Sequence, residues 1–169
     1  KIRQLLEAAR FAPTAANSQG MYYLVIQDRD LIKKITDCVA DWMQEQIDNK
    51  SPQKRYFIKV LHVYRERGID IIGRNARQLI FVLARRLNVT GPSNSEQSLA
   101  YAELYAPTLG LGTTIMGFIE TCLRADYTPL RELLQIPTKQ VGVGCLLVGY
   151  PRYRYHKLVD RQHLKVEFR

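Results

Sequence analysis

The sequence predicts a chain of the α+β or mixed α/β class, and three observations carry the prediction. Helical and strand-like patterns interleave, but without the clean strand–helix–strand series of a parallel sheet. Two nearly continuous apolar runs, QLIFVLA at 78–84 and VGVGCLLV at 141–148, have the length and composition of buried strands. The chain has 169 residues, 46% hydrophobic and 24% charged. That is enough apolar matter for the core of one globular domain spanning 1–169, and too much for disorder.

The elements follow in order. Ile2, Leu5, Leu6 and Ala9 share one face of a helix over residues 2–11, which Pro13 ends. Residues 12–19 (APTAANSQ) are small, polar and turn-rich. MYYLVI at 21–26 is a strand by its aromatic and β-branched content. Asp30 caps a helix in which Leu31, Ile35, Val39 and Trp42 recur to about residue 47. Residues 49–53 break the pattern, and 56–67 alternate apolar and basic positions at helical period up to Gly68. After the strand at 78–84, residues 85–95 read as a loop around Gly91 and Pro92. A helix over 98–109, kinked at Pro107, leads into a glycine-punctuated turn at 110–117. A short helix at 129–134 precedes the second apolar strand, which Gly149, Tyr150 and Pro151 close. The alternating HLKVEF at 163–168 reads as an edge strand.

Lys and Arg number 25 against 16 Asp and Glu, a formal net charge of +9. The excess is uneven: residues 1–50 are balanced, whereas 51–100 hold nine basic and three acidic side chains. Such a charge suits nucleic acid, an acidic protein or a phosphate-bearing ligand, or simply a solvated surface. Nucleic acid is the poorest of these, since there is no zinc-finger spacing, no RNA-recognition aromatic motif and no heptad run. Tyr56, Phe57 and Tyr64 accompany the basic residues at helical spacing and read as packing or a pocket lid. No apolar run approaches the roughly eighteen residues of a membrane span. Cys38, Cys122 and Cys145 are too dispersed for a disulfide framework or a zinc site, so no metal is expected; Cys38 and Cys145, in apolar contexts, read as ordinary core thiols, and a reducing cytoplasm fits. The chain opens at Lys1 inside a helical pattern, so further residues are expected upstream.

No P-loop is present, no GxGxxG follows a strand, and no GxSxG elbow exists. His62, His156 and His163 lack metal-ligand spacing. A cofactor is therefore expected to carry any chemistry. Four segments bear on which one. The small-residue loop at 12–19 and the glycines at 110–117 allow backbone to approach a flat ring closely. The third is the strand that ends in Gly149, Tyr150 and Pro151, and the fourth is the tail after it. That tail offers Arg152, Arg154, Lys157 and Arg161 to a phosphate.

In this order the segments resemble the nitroreductase family of flavin mononucleotide (FMN) oxidoreductases. That family carries an Ala-Pro-Ser-x-x-Asn-x-Gln-Pro loop before its first strand, a Gly-Leu-Gly-Thr turn leading to Met-Gly, and a late Leu-Gly-Tyr-Pro. Here they read as 12–19, 110–117 and 148–151. The stretches QDRD at 27–30 and AELYAPTLGLG at 102–112 are most similar to members with an N-terminal ferredoxin-type iron–sulfur domain. The resemblance implies a central mixed sheet flanked by helices, a homodimer with the flavin at its interface, and a C-terminal edge strand exchanged between subunits. It implies that Pro13, Thr14, Ala15 and Asn17 line one side of the isoalloxazine ring, with Gln19 bracing their loop. The backbone of Ile115, Met116 and Gly117 would face flavin N5, Lys157 and Arg161 would meet the phosphate, and Arg74 would touch flavin or substrate.

The donor it implies is a nicotinamide or a reduced ferredoxin, and the acceptor a small nitroaromatic or quinone, served in ping-pong order. Some positions depart from the family pattern. An early Arg-Arg-Ser phosphate motif would fall before Lys1, Thr14 replaces Ser, and Gly20 and Met21 stand where Pro and Trp are common. Met116 stands where some members have Glu. A flavin-binding or sensing protein without turnover, on the same fold, is the alternative.

Overall fold

The strand that organises the molecule is the apolar run after Gln78. In the computed structural model, which describes residues 1–153 and 159–169, it becomes β2 (Leu79–Arg85), with its first six residues buried. It pairs on one side with β1 (Tyr22–Ile26) and on the other with β4 (Gln140–Gly149), and β3 (Gly112–Ile115) completes the order β1-β2-β4-β3. Every pairing is antiparallel, so the sheet is not the mixed one expected. The reason lies in the connections. Between β1 and β2 the chain runs out along α2 (Arg29–Asp48) and back along α3 (Lys54–Leu61), re-entering the sheet at the end it left.

Helices cover both faces, which is why β2 reads as an unbroken apolar run rather than an alternating one. Leu79, Phe81 and Leu83 face one core with α2, α3, α5 (Gly117–Arg124) and α6 (Thr128–Leu133). Ile80, Val82 and Ala84 face the other, with α1 (Ile2–Ala9) and α4 (Gly91–Tyr105). The register of β4 on β2 slips between Val82 and Leu83, leaving Val143 as an extra residue in β4. The bulge flips the strand's alternation there. A Cβ at Gly142 would strike the Leu123 side chain, and one at Gly144 would come within 2.5 Å of Ser95 Oγ, so the two glycines let a helix approach on each face.

The structure alters several sequence expectations. The 85–95 loop is shorter than read, because α4 begins at Gly91 with Pro92 in its first turn, where a missing N–H costs nothing. That helix stops at Tyr105, and residues 106–109 form a 3₁₀ turn ended by left-handed Gly110. The 110–117 turn contains β3, whose pairing with β4 no local pattern announces. The helix at 56–67 is α3 followed by a π-helical turn over 62–66. Residues 163–168 are exposed and form no strand within the chain, since no sheet edge reaches them. Among the described residues, no helix is long and apolar enough to cross a membrane.

Candidate functional site

A cleft opens where β3 gives way to α5. Met116, between them, is buried, and its N–H donates to the Cys145 carbonyl at 3.0 Å. Its side chain caps nothing, so the first amides of α5 have no partner within the helix. A Cβ on Gly117 would meet no atom within 4 Å. Backbone is thus open to a flat ligand at this point. The start of α3 supplies another wall through Gln53 and Tyr56, and the loop before β2 supplies Ile72 and Arg74. The Tyr56 and Phe118 rings stand 5.7 Å apart, and buried Phe57 packs edge-on against Trp42 at 5.5 Å. The cleft encloses about 430 Å³, within the range of small-molecule sites. None of its lining residues is acidic.

Of the residues expected at the site, the cleft gathers Arg74, Ile115, Met116 and Gly117. The loop at 13–19 is elsewhere. It leads into β1, at the opposite sheet edge from β3, and none of its residues lines the cleft. It is nonetheless a built feature. Ala16, Asn17 and Gln19 hold left-handed backbone at φ 52°, 51° and 48° without being glycine. The Gln19 N–H donates to Thr14 Oγ1 at 3.0 Å and its Nε2 to Asn17 Oδ1 at 3.1 Å. The Ala15 N–H donates to Oδ1 of Asn94, a buried residue in the first turn of α4, at 3.1 Å. Pro13, Ala15 and Asn17 point their surfaces to solvent. Arg161 is exposed on a stretch without regular structure and does not line the cleft, and Lys157 lies outside the described residues.

Sequence reasoning missed Asn94, Gln53 and Phe118. Asn94 looked like one more loop residue. Gln53 carries no motif, Phe118 ends the glycine-rich segment without a role of its own, and only the fold brings them together. Tyr56, read as packing or a lid, is an exposed part of the cleft wall, while its neighbour Phe57 packs inward.

Next to the cleft, α5 carries the Glu120 carboxyl, whose pKa burial raises, partly offset by Arg124 and the Cys145 backbone amide. Arg124 pairs with Glu120 at 2.8 Å and with Glu96 at 3.0 Å. Burial pushes the Cys122 and Cys145 thiols well up and Cys38 up to about 11. All three therefore remain protonated thiols at neutral pH, as core residues do.

A four-stranded antiparallel sheet with helices on both faces and a cleft between β3 and α5 defines the architecture as α+β. The model of the nitroreductase family matches residues 1–150, and the chain belongs to that family. The chain is 25% identical over 157 residues to the FMN reductase [NAD(P)H] of Bacillus subtilis (strain 168), covering 93% of this chain. It spans 59% of that protein's length. Among solved structures it is similar to a nitroreductase with bound FMN from Desulfitobacterium hafniense DCB-2. That match has a TM-score of 0.70 and 16% identity, covering 98% of this chain and 86% of the other. A nitroreductase with bound FMN from Bacteroides fragilis NCTC 9343 has a TM-score of 0.68 at 17% identity, covering 97% and 82%. At these identities the two structures speak for the fold.

Proposed function

We propose that the chain binds FMN and acts as an oxidoreductase, passing electrons from NAD(P)H to a small acceptor such as a nitroaromatic or quinone. One observation carries the reading: the open space at Gly117, beside Ile115 and Met116, meets Arg74 and an aromatic wall in a single cleft of a nitroreductase-family fold. The FMN-reductase name of the Bacillus subtilis relative supports the cofactor and the nicotinamide donor. FMN, when bound, supplies the N5 atom that accepts and delivers hydride. The residues present fit a flat ring. No side chain at the N-cap takes the first amides of α5, which would offer hydrogen bonds to it, and a Cβ on Gly117 would meet nothing within 4 Å.

In this reading Pro13, Thr14, Ala15 and Asn17 cover the ring from a second copy of the chain. The reason is topological. Within one chain β2 and β4 lie between their loop and the cleft. Exposed Phe11, Tyr101 and Leu104 give such a homodimer an apolar contact surface, and the 163–168 segment would find its sheet edge on the partner. Lys157 and Arg161 would hold the phosphate, and Arg74 would supply a cation to the flavin or its acceptor. Donor and acceptor would use the open cleft in turn, a ping-pong order in the cytoplasm.

The nine basic residues of 51–100 favour a second donor class, an acidic ferredoxin. The test is to titrate FMN while following its fluorescence, with sedimentation of the product. Tight binding to a dimer is expected, and a monomer that takes up no flavin refutes the reading.

A further inference from the structure

Arg74 enters the cleft from a turn that is pinned on both sides. It and Asn75 both hold left-handed backbone, at φ 53° and 51°, a conformation L-residues rarely adopt twice in succession. One carboxylate fastens the turn. Asp70 accepts the Gly73 N–H at 2.7 Å through Oδ1 and the Asn75 N–H at 2.9 Å through Oδ2. Gly73 is required between them, because a Cβ there would collide with Thr36 and crowd the Asp70 carboxylate. Backbone strain held this firmly tends to mark a functional position.

The side chain it presents is unmatched. Arg74 is exposed and belongs to none of the ion pairs among the described residues. It shares the cleft with the Tyr56 and Phe118 rings and the Gln53 amide, and with no acid.

We propose that Arg74, positioned by Asp70, recognises a carboxylate on the acceptor, so that the cleft selects planar aromatic acids over their neutral counterparts. The inference rests on the flavin reading for what occupies the cleft and names the substrate class of that site. A guanidinium offers two parallel N–H donors that match a carboxylate, and aromatic walls accept the ring that carries it. Among the described hydrogen bonds the Asp70 carboxylate accepts only from backbone N–H groups, so it is a positioning residue.

The test compares 4-nitrobenzoate with 4-nitrobenzamide, which share a shape and differ in charge. Each is titrated calorimetrically into FMN-loaded protein. The acid is expected to bind about tenfold tighter than the amide, the order of a charge-assisted bidentate contact. In Arg74→Gln the ratio falls to near one, and Arg74→Lys, which keeps the charge and loses the fork, falls between. Asp70→Ala lowers the ratio although Arg74 is present. If it does not fold, Asp70→Asn, which retains one acceptor oxygen, gives the same reading in smaller degree. A merely structural Asp70 would weaken both ligands alike, and that result overturns its role. An unchanged ratio in Arg74→Gln overturns the proposal, and weaker FMN binding in that variant would then assign the cation to the flavin. Protein that takes up no FMN sinks the flavin reading instead, and the same ratio measured without flavin still decides for or against Arg74.

Discussion

Arg124 donates its Nε–H to the carbonyl of Val143 at 3.2 Å, the residue that bulges from β4. The bulge leaves that carbonyl outside the ladder, and β3, which pairs no further along β4 than Leu146, does not reach it. A side chain thus completes a sheet edge where a strand has run out. The same guanidinium compensates Glu120, whose carboxyl is half-buried.

Replacing Arg124 with Met keeps the stem and removes its contacts with the Val143 carbonyl, Glu120 and Glu96. The variant is expected to lose about 2 kcal/mol in urea unfolding, the scale of an unmade hydrogen bond plus an uncompensated charge. The sign with pH follows from Glu120. Its folded pKa lies above the ordinary glutamate value, and loss of Arg124 raises it further. Such a group weakens the fold as pH rises through the window between its unfolded and folded pKa. The deficit of Arg124→Met is therefore largest near neutral pH and shrinks on acidification. Arg124→Met with Glu120→Gln recovers part of it.

Asp126 shows the opposite sign. Arg86 bonds it at 2.8 Å and holds its pKa down against the opposing effect of burial, with Arg131 assisting at 2.5 Å. A lowered carboxyl stabilises above its unfolded pKa, roughly 3.9, and that contribution is lost as pH falls through the lower folded value. Asp126→Asn tolerates the left-handed backbone at φ 54°. It is expected to cost about 1 kcal/mol near neutral pH, given the exposure of the pair. The difference from the parent protein should close in acid, as followed by thermal unfolding across pH.

Asn94 holds the 13–19 loop through the Ala15 amide. If that loop covers the flavin of a partner subunit, Asn94→Ala should weaken FMN binding about tenfold, the equivalent of one buried hydrogen bond. Flavin fluorescence titration measures it. Unchanged affinity would remove the loop from the flavin site.

Gly142 tests the close approach of α5 to the sheet. Gly142→Ala drives a Cβ into Leu123 and should destabilise by about 1–3 kcal/mol, the usual cost of overpacking. Adding Leu123→Ala should return part of that loss, and thermal denaturation of the pair measures the coupling.

These features divide sharply by legibility in the sequence. β2 and β4 were plain because burial on both faces removes polar interruptions. The α2 helix was plain too, since Ile35, Val39 and Trp42 repeat along one buried stripe. Gly91 and Pro92 misled, being breakers within a helix but good starters of one. β3 has four residues and exists by pairing with β4, so its cause is tertiary. The same holds for the site. The segments at 12–19 and 110–117 stand out as motifs, and the cleft joins Arg74 to the end of the latter. Local pattern says nothing of sheet order, which places the two motifs at opposite edges. Nor does it show that Asn94 anchors one loop or that Asp70 fastens the other.

Flavin turnover in the cleft is read most directly from the flavin's own visible spectrum. Protein loaded with FMN and freed of excess by gel filtration should keep its visible flavin band. Under anaerobic conditions dithionite should bleach that band, and 4-nitrobenzamide should restore it. A colourless protein after filtration contradicts flavin binding. A bleached band that no nitro compound or quinone restores contradicts turnover and leaves a flavin-binding protein without an oxidoreductase.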